Sequence, residues 1–451
     1  MNKQLYDKIK SMFHLIEHNY EKCLPSELVV LQLSRGNVFD MRVQGLDEII
    51  KFRDENPDCS ITFKPNHLSE ADFILLYILF AENDMRVLIE GGSNLFIDNI
   101  DLYQDIIPNF INHGIKEIFK DQKMYINEYM LKKGGFKVFR EPTVIAQDDG
   151  SEIHLGKKEI ISLSRAYRYH LVKNKEMYVT FPGYSSSTSE LLQSKIIKTG
   201  RSYSGKTDGF HHLPFLMDIE ASLLTGVDVY IVDVNIAYEP VLEDEYFKDI
   251  KKLHESGANR DEIYYNDLGF IIKEFIRNRK TGDLSIKFGK PLKIDTSLFK
   301  DHNTKIKIKK AAATLAEDTF NKSLFMHPIF PSNIYFTAFN KDFDNISIRN
   351  LKDNINEIRD YLINIAFGGE KTEVDLHYIL GYNDHIISAD EIINRTFQKF
   401  SIPEKKITGC EGDMFVVYNK DAAIQYRNHS AHILESMNDK EYLKRLAHSD
   451  R

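Results

Sequence analysis

The chain has 451 residues, of which 42% are apolar and 28% charged. This composition is typical of a globular protein large enough for two or three domain-sized units. Its formal net charge of −8 argues against a nucleic-acid binder that relies on its overall field. The cysteines Cys23, Cys59 and Cys410 lie far apart and lack metal-ligand spacing, which indicates a reducing compartment and no disulfide framework.

Neither a membrane-spanning segment nor a cofactor motif is visible. No apolar run reaches the roughly 18 residues that a spanning helix needs, and the N-terminus lacks the apolar stretch of a secretory signal. The 16 histidines are scattered without ligand spacing, so we expect no metal and no redox cofactor. These features predict a cytoplasmic protein.

The predicted elements alternate between strands and helices over the first 300 residues. Apolar periodicity gives, in chain order, a helix over 3–20, strands over 28–33, 38–43 and 60–64, a helix over 71–82, a strand over 85–90, a helix at about 101–112, a strand at about 136–139, a helix over 159–174 and strands over 177–181, 227–238 and 284–288. This alternation predicts an α/β fold with a central, mostly parallel β-sheet flanked by helices.

The pattern becomes mainly helical beyond residue 300. Helices are predicted over 305–323, 350–366 and 388–400. We therefore divide the chain into an N-terminal helical segment over 1–40, an α/β domain over 41–300 and a mainly helical C-terminal region over 301–451. The C-terminal region carries no readable chemical motif, and we expect it to brace the α/β domain or to mediate self-association.

His67 and Asp72 are the most informative residues. An apolar strand ends at Pro65, His67 follows in the turn, and Asp72 lies in the first turn of the next helix. A carboxylate there can hold one imidazole nitrogen by a hydrogen bond, so that the other nitrogen acts as a base. The alternative is that Asp72 or Ser69 only caps the helix.

Two further segments place cations beside glycines. Lys137 and Arg140 follow the pair Gly134–Gly135 and can point from one strand toward an anion; the alternative is a lysine-rich turn before a strand. Further along, Gly200 is followed by three candidate ligands for a phosphate, namely Arg201, Ser202 and Lys206.

The second segment also matches a nucleotide-binding P-loop. Residues 200–207 fit its spacing, and a Walker-B-like strand ends at Asp233, which leaves a P-loop NTPase or kinase as an alternative. Three features oppose it: the preceding segment is short and cationic, Asp208–Gly209 and Pro214 follow where a helix should begin, and little chain separates Thr207 from Asp233.

The order of these segments resembles the glycerol-3-phosphate acyltransferase family, within the wider group of membrane-associated glycerolipid acyltransferases. His67 to Asp72 is similar to the family's His-x4-Asp motif, and Gly134 to Arg140 to its second motif. Gly200 to Lys206 resembles the family's third motif, and the strand that ends in Tyr238–Glu239 resembles its fourth. A weaker similarity, Tyr426-Arg-Asn, lies near the C-terminus.

The resemblance implies an enzyme that moves a fatty acyl group from acyl-CoA or acyl-carrier protein to the sn-1 hydroxyl of glycerol 3-phosphate, giving lysophosphatidic acid. It implies His67 and Asp72 as catalytic residues, with Lys137, Arg140, Arg201, Ser202 and Lys206 binding the substrate. It also implies peripheral contact with the inner face of a membrane. We further expect backbone N–H groups near the His67 turn to stabilise the oxyanion.

The third motif departs from the family pattern. Phe181–Pro182 is followed by Gly183 and an insertion of about 16 residues, and the usual glutamate is missing. We expect the insertion to be a mobile loop over the site. Two alternatives therefore stay open beside the P-loop: an acyltransferase for dihydroxyacetone phosphate or a lysophospholipid, and a non-catalytic lipid-binding relative.

Overall fold

A computed structural model of the protein describes residues 39–69, 71–92, 134–138, 143–146, 152–189, 194–199, 207–241, 244–246, 256, 282–299, 304–340, 342–367, 374–401 and 406–429. The helices predicted over 3–20 and at about 101–112, and the strand predicted over 28–33, lie outside these residues. No described helix is long and apolar enough to cross a membrane.

The fold is built on an eight-stranded mixed sheet, which confirms the predicted α/β class. Seven strands form a path in the order β1-β12-β11-β2-β7-β3-β4, and β13 pairs with β11 at its start. The strands are β1 Phe39–Gln44, β2 Ser60–Pro65, β3 Val87–Gly92, β4 Gly135–Val138, β7 Met177–Val179, β11 Val229–Glu239, β12 Gly282–Phe288 and β13 Leu292–Lys293.

The sheet is mostly parallel. From β11 through β2, β7 and β3 to β4 every neighbouring pair is parallel. β12 and β13 run antiparallel to β11, and β1 runs parallel to β12. β11 is buried on both faces because helices cover the sheet on both sides: Val234 and Ile236 lie in one core cluster, whereas Val229 and Ile231 lie in the other.

Five helices pack around this sheet. They are α1 Leu46–Glu55, α2 Ala71–Glu82, α3 Lys157–Lys173, α4 His212–Thr225 and α5 Thr304–Met326. The apolar side chains of α2 enter the first cluster, and those of α3, α4 and α5 enter the second. The predicted helices over 71–82, 159–174 and 305–323 are confirmed, whereas α1 and α4 have no counterpart among the predictions.

The C-terminal region is mainly helical and also contains a small sheet. Its elements are α6 Pro331–Thr337, β14 Ile346–Ser347, α7 Ile348–Phe367, α8 Ala389–Phe400, β15 Thr408–Glu411, β16 Met414–Val417 and α9 Lys420–His429. β14, β16 and β15 form a three-stranded antiparallel sheet. Apolar residues of this region belong to the same core cluster as β2 and α2. The division of the chain into three parts stays a prediction.

Two smaller sheets and three 3₁₀ turns complete the described elements. β5 Thr143–Ala146 pairs with β6 Glu152–Leu155, and β8 Gly183–Ser189 lies between β9 Ser194–Thr199 and β10 Gly209–Phe210. The 3₁₀ turns are Asp244–Tyr246, Thr296–Phe299 and Tyr382–Asp384. The insertion that we expected to be a mobile loop is therefore largely the hairpin of β8 and β9. Its β-branched Ile196 and Ile197 suit a strand.

Candidate active site

The candidate site lies at the edge where five parallel strands end. β11, β2, β7, β3 and β4 all present their carboxyl ends there. Open α/β sheets bind ligands at this edge because the loops that follow the strands converge on it. His67 lies two residues beyond β2, and Phe181 two residues beyond β7.

Asn66 fixes the direction in which the chain leaves β2. Its side-chain oxygen accepts a hydrogen bond from Ile236 N at 2.7 Å, and its amide donates to Ile236 O at 2.9 Å. The side chain thereby imitates a backbone ladder pair and extends the β2–β11 pairing past Pro65, which has no N–H to donate. His67 consequently leaves the sheet from a fixed point.

His67 and Asp72 form a hydrogen-bonded pair. His67 Nδ1 lies 2.8 Å from Asp72 Oδ2, and the Asp72 side chain is fully buried while that of His67 is 14% exposed. With the proton on Nδ1 donated to the carboxylate, the basic nitrogen of the ring is Nε2. The pair thus has a buried, orienting partner and a base that reaches the surface.

Three more donors hold the Asp72 carboxylate. Oδ2 also accepts from the backbone N–H groups of Leu68, at 2.8 Å, and Ser69, at 3.1 Å. Oδ1 accepts from the hydroxyl of Tyr238, which lies on β11. Because these contacts come from the turn and from a neighbouring strand, they fix the carboxylate independently of His67. The Leu68 and Ser69 N–H groups both donate to Asp72; the expectation that backbone N–H groups near this turn stabilise the oxyanion stays a prediction.

Ser69 and Asp72 both accept hydrogen bonds from N–H groups at the start of α2. Ser69 Oγ accepts a hydrogen bond from Ala71 N at 3.0 Å, which satisfies an N–H at the start of α2. Asp72 lies in the first turn of the same helix and faces His67. The capping alternative therefore applies to both residues, because Asp72 also accepts from Ser69 N, and the Asp72 carboxylate contacts the imidazole in addition.

An aromatic ring lies against the imidazole. The ring centroids of Phe181 and His67 are 4.7 Å apart, with an interplanar angle of 37°. Phe181 reaches this position because β7 is the parallel neighbour of β2 and Thr180 N donates to Phe63 O at 3.0 Å. Phe181 limits the rotation of the imidazole and covers one side of the site.

A buried network of charges lies behind the strand ends. Lys64 Nζ is 2.7 Å from both Asp218 Oδ2 and Thr180 Oγ1, and all three residues are fully buried. On the other side of Asp218, Arg168 approaches Oδ1 at 3.2 Å and also lies 3.6 Å from Glu90 at the end of β3. Burial lowers the pKa of Lys64 to about 8, although the negative charge of Asp218 opposes this shift.

The sequence analysis did not predict this network. Lys64 stands within an apolar strand and Arg168 and Asp218 lie in helices, so that only proximity in the fold brings them together. The one available signal was Lys64 itself, because a lysine inside a run destined for burial requires a partner.

Tyr238 and Glu239 occupy the end of β11 with different tasks. Successive residues of a strand point to opposite faces, so Tyr238 reaches Asp72 whereas Glu239 turns toward the C-terminal region. There Glu239 accepts from Ser332 N at 2.7 Å and from Lys399 at 2.7 Å. The sequence identified the pair as part of a motif but gave neither residue a role.

The predicted substrate-binding residues are only partly within the described chain. Lys137 lies on β4, where it pairs with Gly91 of β3. β4 is three strand spacings from β2, or roughly 14 Å. Arg140, Arg201, Ser202 and Lys206 lie outside the described residues.

The described residues on either side of segment 200–206 lie close to the site. Tyr184 pairs with Thr199 of β9 on one side and with Gly209 of β10 on the other. Tyr184 itself is three residues from Phe181, and His211 N donates to Pro182 O at 2.8 Å. The excursion from Pro182 to His211 therefore starts and ends beside Phe181.

The same segment does not have the surroundings of a P-loop. Its preceding strand, β9, belongs to a hairpin rather than to the central sheet, and β10 rather than a helix follows Thr207. Asp233, the Walker-B candidate, faces Gly289, and burial raises the pKa of its carboxyl. Within the described part of the chain, no three metal-ligating side chains converge.

The chain is similar to known proteins in its structure but not detectably in its sequence. No protein-family model matches the chain, and no curated protein sequence matches it. Among solved structures, the chain is similar to the 1-acyl-sn-glycerophosphate (LPA) acyltransferase PlsC from Thermotoga maritima, with 13% sequence identity and a TM-score of 0.29. The match covers 66% of this chain and 79% of that one.

Proposed function

We propose that this protein is an acyltransferase that moves a fatty acyl group from a thioester donor to a hydroxyl group, with His67 as the general base. The observation that carries the proposal is the His67–Asp72 pair at the carboxyl edge of the sheet, with Asp72 buried and His67 partly exposed. The order of the four sequence motifs supports the same class of enzyme.

The proposed reaction needs no covalent enzyme intermediate. His67 Nε2 takes the proton of the acceptor hydroxyl as its oxygen attacks the thioester carbonyl, forming a tetrahedral oxyanion. When the intermediate collapses, the C–S bond breaks and the departing thiolate takes the proton back from the imidazolium. Asp72 keeps Nδ1 protonated throughout and stabilises the imidazolium while it exists.

For the acceptor we propose glycerol 3-phosphate, acylated at its sn-1 hydroxyl to give lysophosphatidic acid. Cations from two segments would hold the phosphate: Lys137 and Arg140 after β3, and Arg201 and Lys206, with Ser202, after β9. In support, β4 ends at the same edge as β2, and Thr199 and Gly209, which flank segment 200–206, both pair with Tyr184. Bidentate arginine contacts suit a phosphate.

The donor would be acyl-CoA or acyl-carrier protein, with no metal or other cofactor. An amphipathic product partitions into a bilayer, so we also propose that the protein works in the cytoplasm as a peripheral protein of the inner membrane face. Dihydroxyacetone phosphate and lysophospholipids are the competing acceptors.

Thiol release tests the reaction and its acceptor together. Purified protein is incubated with acyl-CoA or acyl-carrier protein and with glycerol 3-phosphate, dihydroxyacetone phosphate, a lysophospholipid or glycerol. We expect the fastest release with glycerol 3-phosphate and little with glycerol. No acceptor-dependent release, together with turnover of the γ-phosphate of ATP, would refute the proposal in favour of a kinase or NTPase.

The matching variant is His67→Ala. Loss of a general base should lower turnover about 10²–10⁴-fold. The temperature of thermal unfolding should stay unchanged, because the His67 side chain is already partly exposed. His385→Ala, at an exposed histidine of the C-terminal region, is the control and should keep full activity. Equal activity of the two variants would exclude His67 as the base.

A further inference from the structure

Three exposed apolar side chains lie at the end of the sheet opposite His67. Leu224 of α4 is 73% exposed, Leu298 of the 3₁₀ turn Thr296–Phe299 is 63% exposed, and Ile306 of α5 is 74% exposed. The 3₁₀ turn contacts both helices. Ile294 N also donates to Val229 O, at the amino end of β11, which places the turn at that end of the sheet.

Four lysines flank Ile306 along α5. Lys305, Lys307, Lys309 and Lys310 are all exposed in the first two turns of α5, and the first acidic residue of that helix is Glu317. Within the described residues, Lys305, Lys309 and Lys310 take part in no ion pair. We call Leu224, Leu298 and Ile306 with these three lysines the basic-apolar face.

The lysines occupy the unfavourable end of the helix. The N-terminus of an α-helix carries a partial positive charge, so that cations there destabilise it. The chain as a whole has a net charge of −8, so a cluster of four lysines at one helix end differs from the rest of the protein. Neither the stability of α5 nor the burial of its inner stripe, Ile308, Ala312 and Ala316, requires lysine at the exposed positions.

We propose that the basic-apolar face docks on the anionic phospholipid surface of a membrane. Leucine and isoleucine flanked by lysine are the side chains that enter a bilayer interface beside anionic headgroups. The choice of a lipid over an acidic protein rests on the proposed function, whose product is amphipathic, whereas the face itself does not depend on it.

The docked orientation follows from the path of α5. The helix starts in the face and reaches the other end of the sheet, where the rings of Phe320 and Phe210 lie 5.3 Å apart. The fourteen helical steps from Ile306 to Phe320 span about 21 Å. The catalytic edge would therefore lie about this far from the docked surface, open to a water-soluble donor and acceptor, and the product would cross this distance to enter the bilayer.

Vesicle co-sedimentation of the full chain tests this surface. We expect the protein to bind vesicles of phosphatidylcholine mixed with phosphatidylglycerol, to bind vesicles of phosphatidylcholine alone far more weakly, and to dissociate as salt is raised. The variant K305E/K309E/K310E should lose affinity for the anionic vesicles on the order of 100-fold, since each lysine near such a surface contributes about fivefold.

The control carries the same charge change elsewhere. K157E/K158E/K420E reverses three exposed lysines, two in the first turn of α3 and one in the first turn of α9, and should bind like the original protein. A second variant, Leu298→Ser/Ile306→Ser, should bind about tenfold more weakly but keep its salt dependence, because it loses insertion and not attraction.

Each outcome decides the proposal separately from the enzymatic one. If the two triple variants bind equally, or if the original protein does not bind anionic vesicles, the proposal that this face docks on a membrane is refuted. A triple variant with unchanged vesicle binding but impaired use of acyl-carrier protein would assign the face to an acidic protein instead. Vesicle binding that depends on the face supports it even if no acyl transfer is found.

Discussion

Tyr238 shows how a residue remote in sequence completes the catalytic pair. Its hydroxyl comes from β11, across the parallel pairing with β2, and donates to the Asp72 oxygen that does not face His67. Asp72 is thereby held from the strand side as well as from the turn. A carboxylate held at both oxygens has little freedom to rotate away from the imidazole, and that orientation is what a general base requires.

Replacing Tyr238 by phenylalanine tests this role. The Asp72 oxygen loses its strand donor in a buried place, which should cost about 1–3 kcal/mol of folding stability. We expect kcat to fall about tenfold with KM nearly unchanged, because Tyr238 acts through Asp72 and not on the substrate. Steady-state kinetics and urea unfolding give the two quantities.

Tyr382→Phe provides the matched control, since Tyr382 is almost fully exposed and should change neither quantity. A Tyr238→Phe protein with normal kcat but lowered stability would leave Tyr238 a purely structural residue. A rise in KM alone would instead place it against the substrate.

Helices and strands with a strong apolar periodicity were predictable from the sequence. An element that contains a residue usually unfavourable to it, such as proline in a helix, was not. The sheet strands and α2 follow from apolar runs whose burial decides their structure. Helix α4 was overlooked because Pro214 was taken to oppose a helix. It lies in the first turn, where its missing N–H would have no intrahelical partner. His211 caps this helix by accepting from Leu213 N.

The candidate site also has a part that was predictable from the sequence and a part that was not. The His67–Asp72 contact was predictable because both residues lie on one turn, so that local geometry brings them together. Tyr238 and the network of Lys64 depend on which strands and helices are neighbours, and a single sequence does not encode that pairing locally. The phosphate ligands proposed from spacing stay a prediction.

The contact between α4 and β2 makes Asp218 the most costly residue of the buried network to change. Asp218 accepts from Tyr178 at 2.8 Å and pairs with both Lys64 and Arg168. Asp218→Asn should therefore destabilise the protein by about 3–5 kcal/mol, because two buried cations lose their shared counter-ion.

Lys64→Met is the comparison, and it should cost less because Asp218 then keeps Arg168 as a partner. Urea unfolding of both variants measures the difference, with Lys51→Met at an exposed lysine of α1 as the reference. If Lys64→Met is the more damaging change, the network is centred on the lysine and not on the carboxylate.

At the scale of the whole molecule, the C-terminal region and the central sheet share one core. Tyr426 of α9 receives a hydrogen bond from Val241 N at 2.9 Å and donates to Asp244, both just beyond β11. Because β11 also carries Tyr238, the docking of α9 supports the strand that orients Asp72. We therefore expect the described sheet and the C-terminal helices to unfold in one cooperative transition.

His429, in the last turn of α9, makes this docking sensitive to acid. Burial lowers the pKa of its imidazole to about 3, against about 6.5 in an unfolded chain. Between these values the unfolded chain binds the proton and the folded protein does not. The stabilisation is thus complete above pH 6.5 and is lost as the pH falls, by about 1.4 kcal/mol per unit, or roughly 2 kcal/mol by pH 5.

His429→Leu removes this titration and fills the same buried space with an apolar group. Urea unfolding at pH 7.5 and pH 5 should show that the variant loses about 2 kcal/mol less on acidification than the original protein. His385→Leu, at an exposed position, should follow the original protein. If all three proteins lose the same stability, His429 is already accessible to protons in the folded state, and the closed packing of α9 against the end of β11 would be wrong.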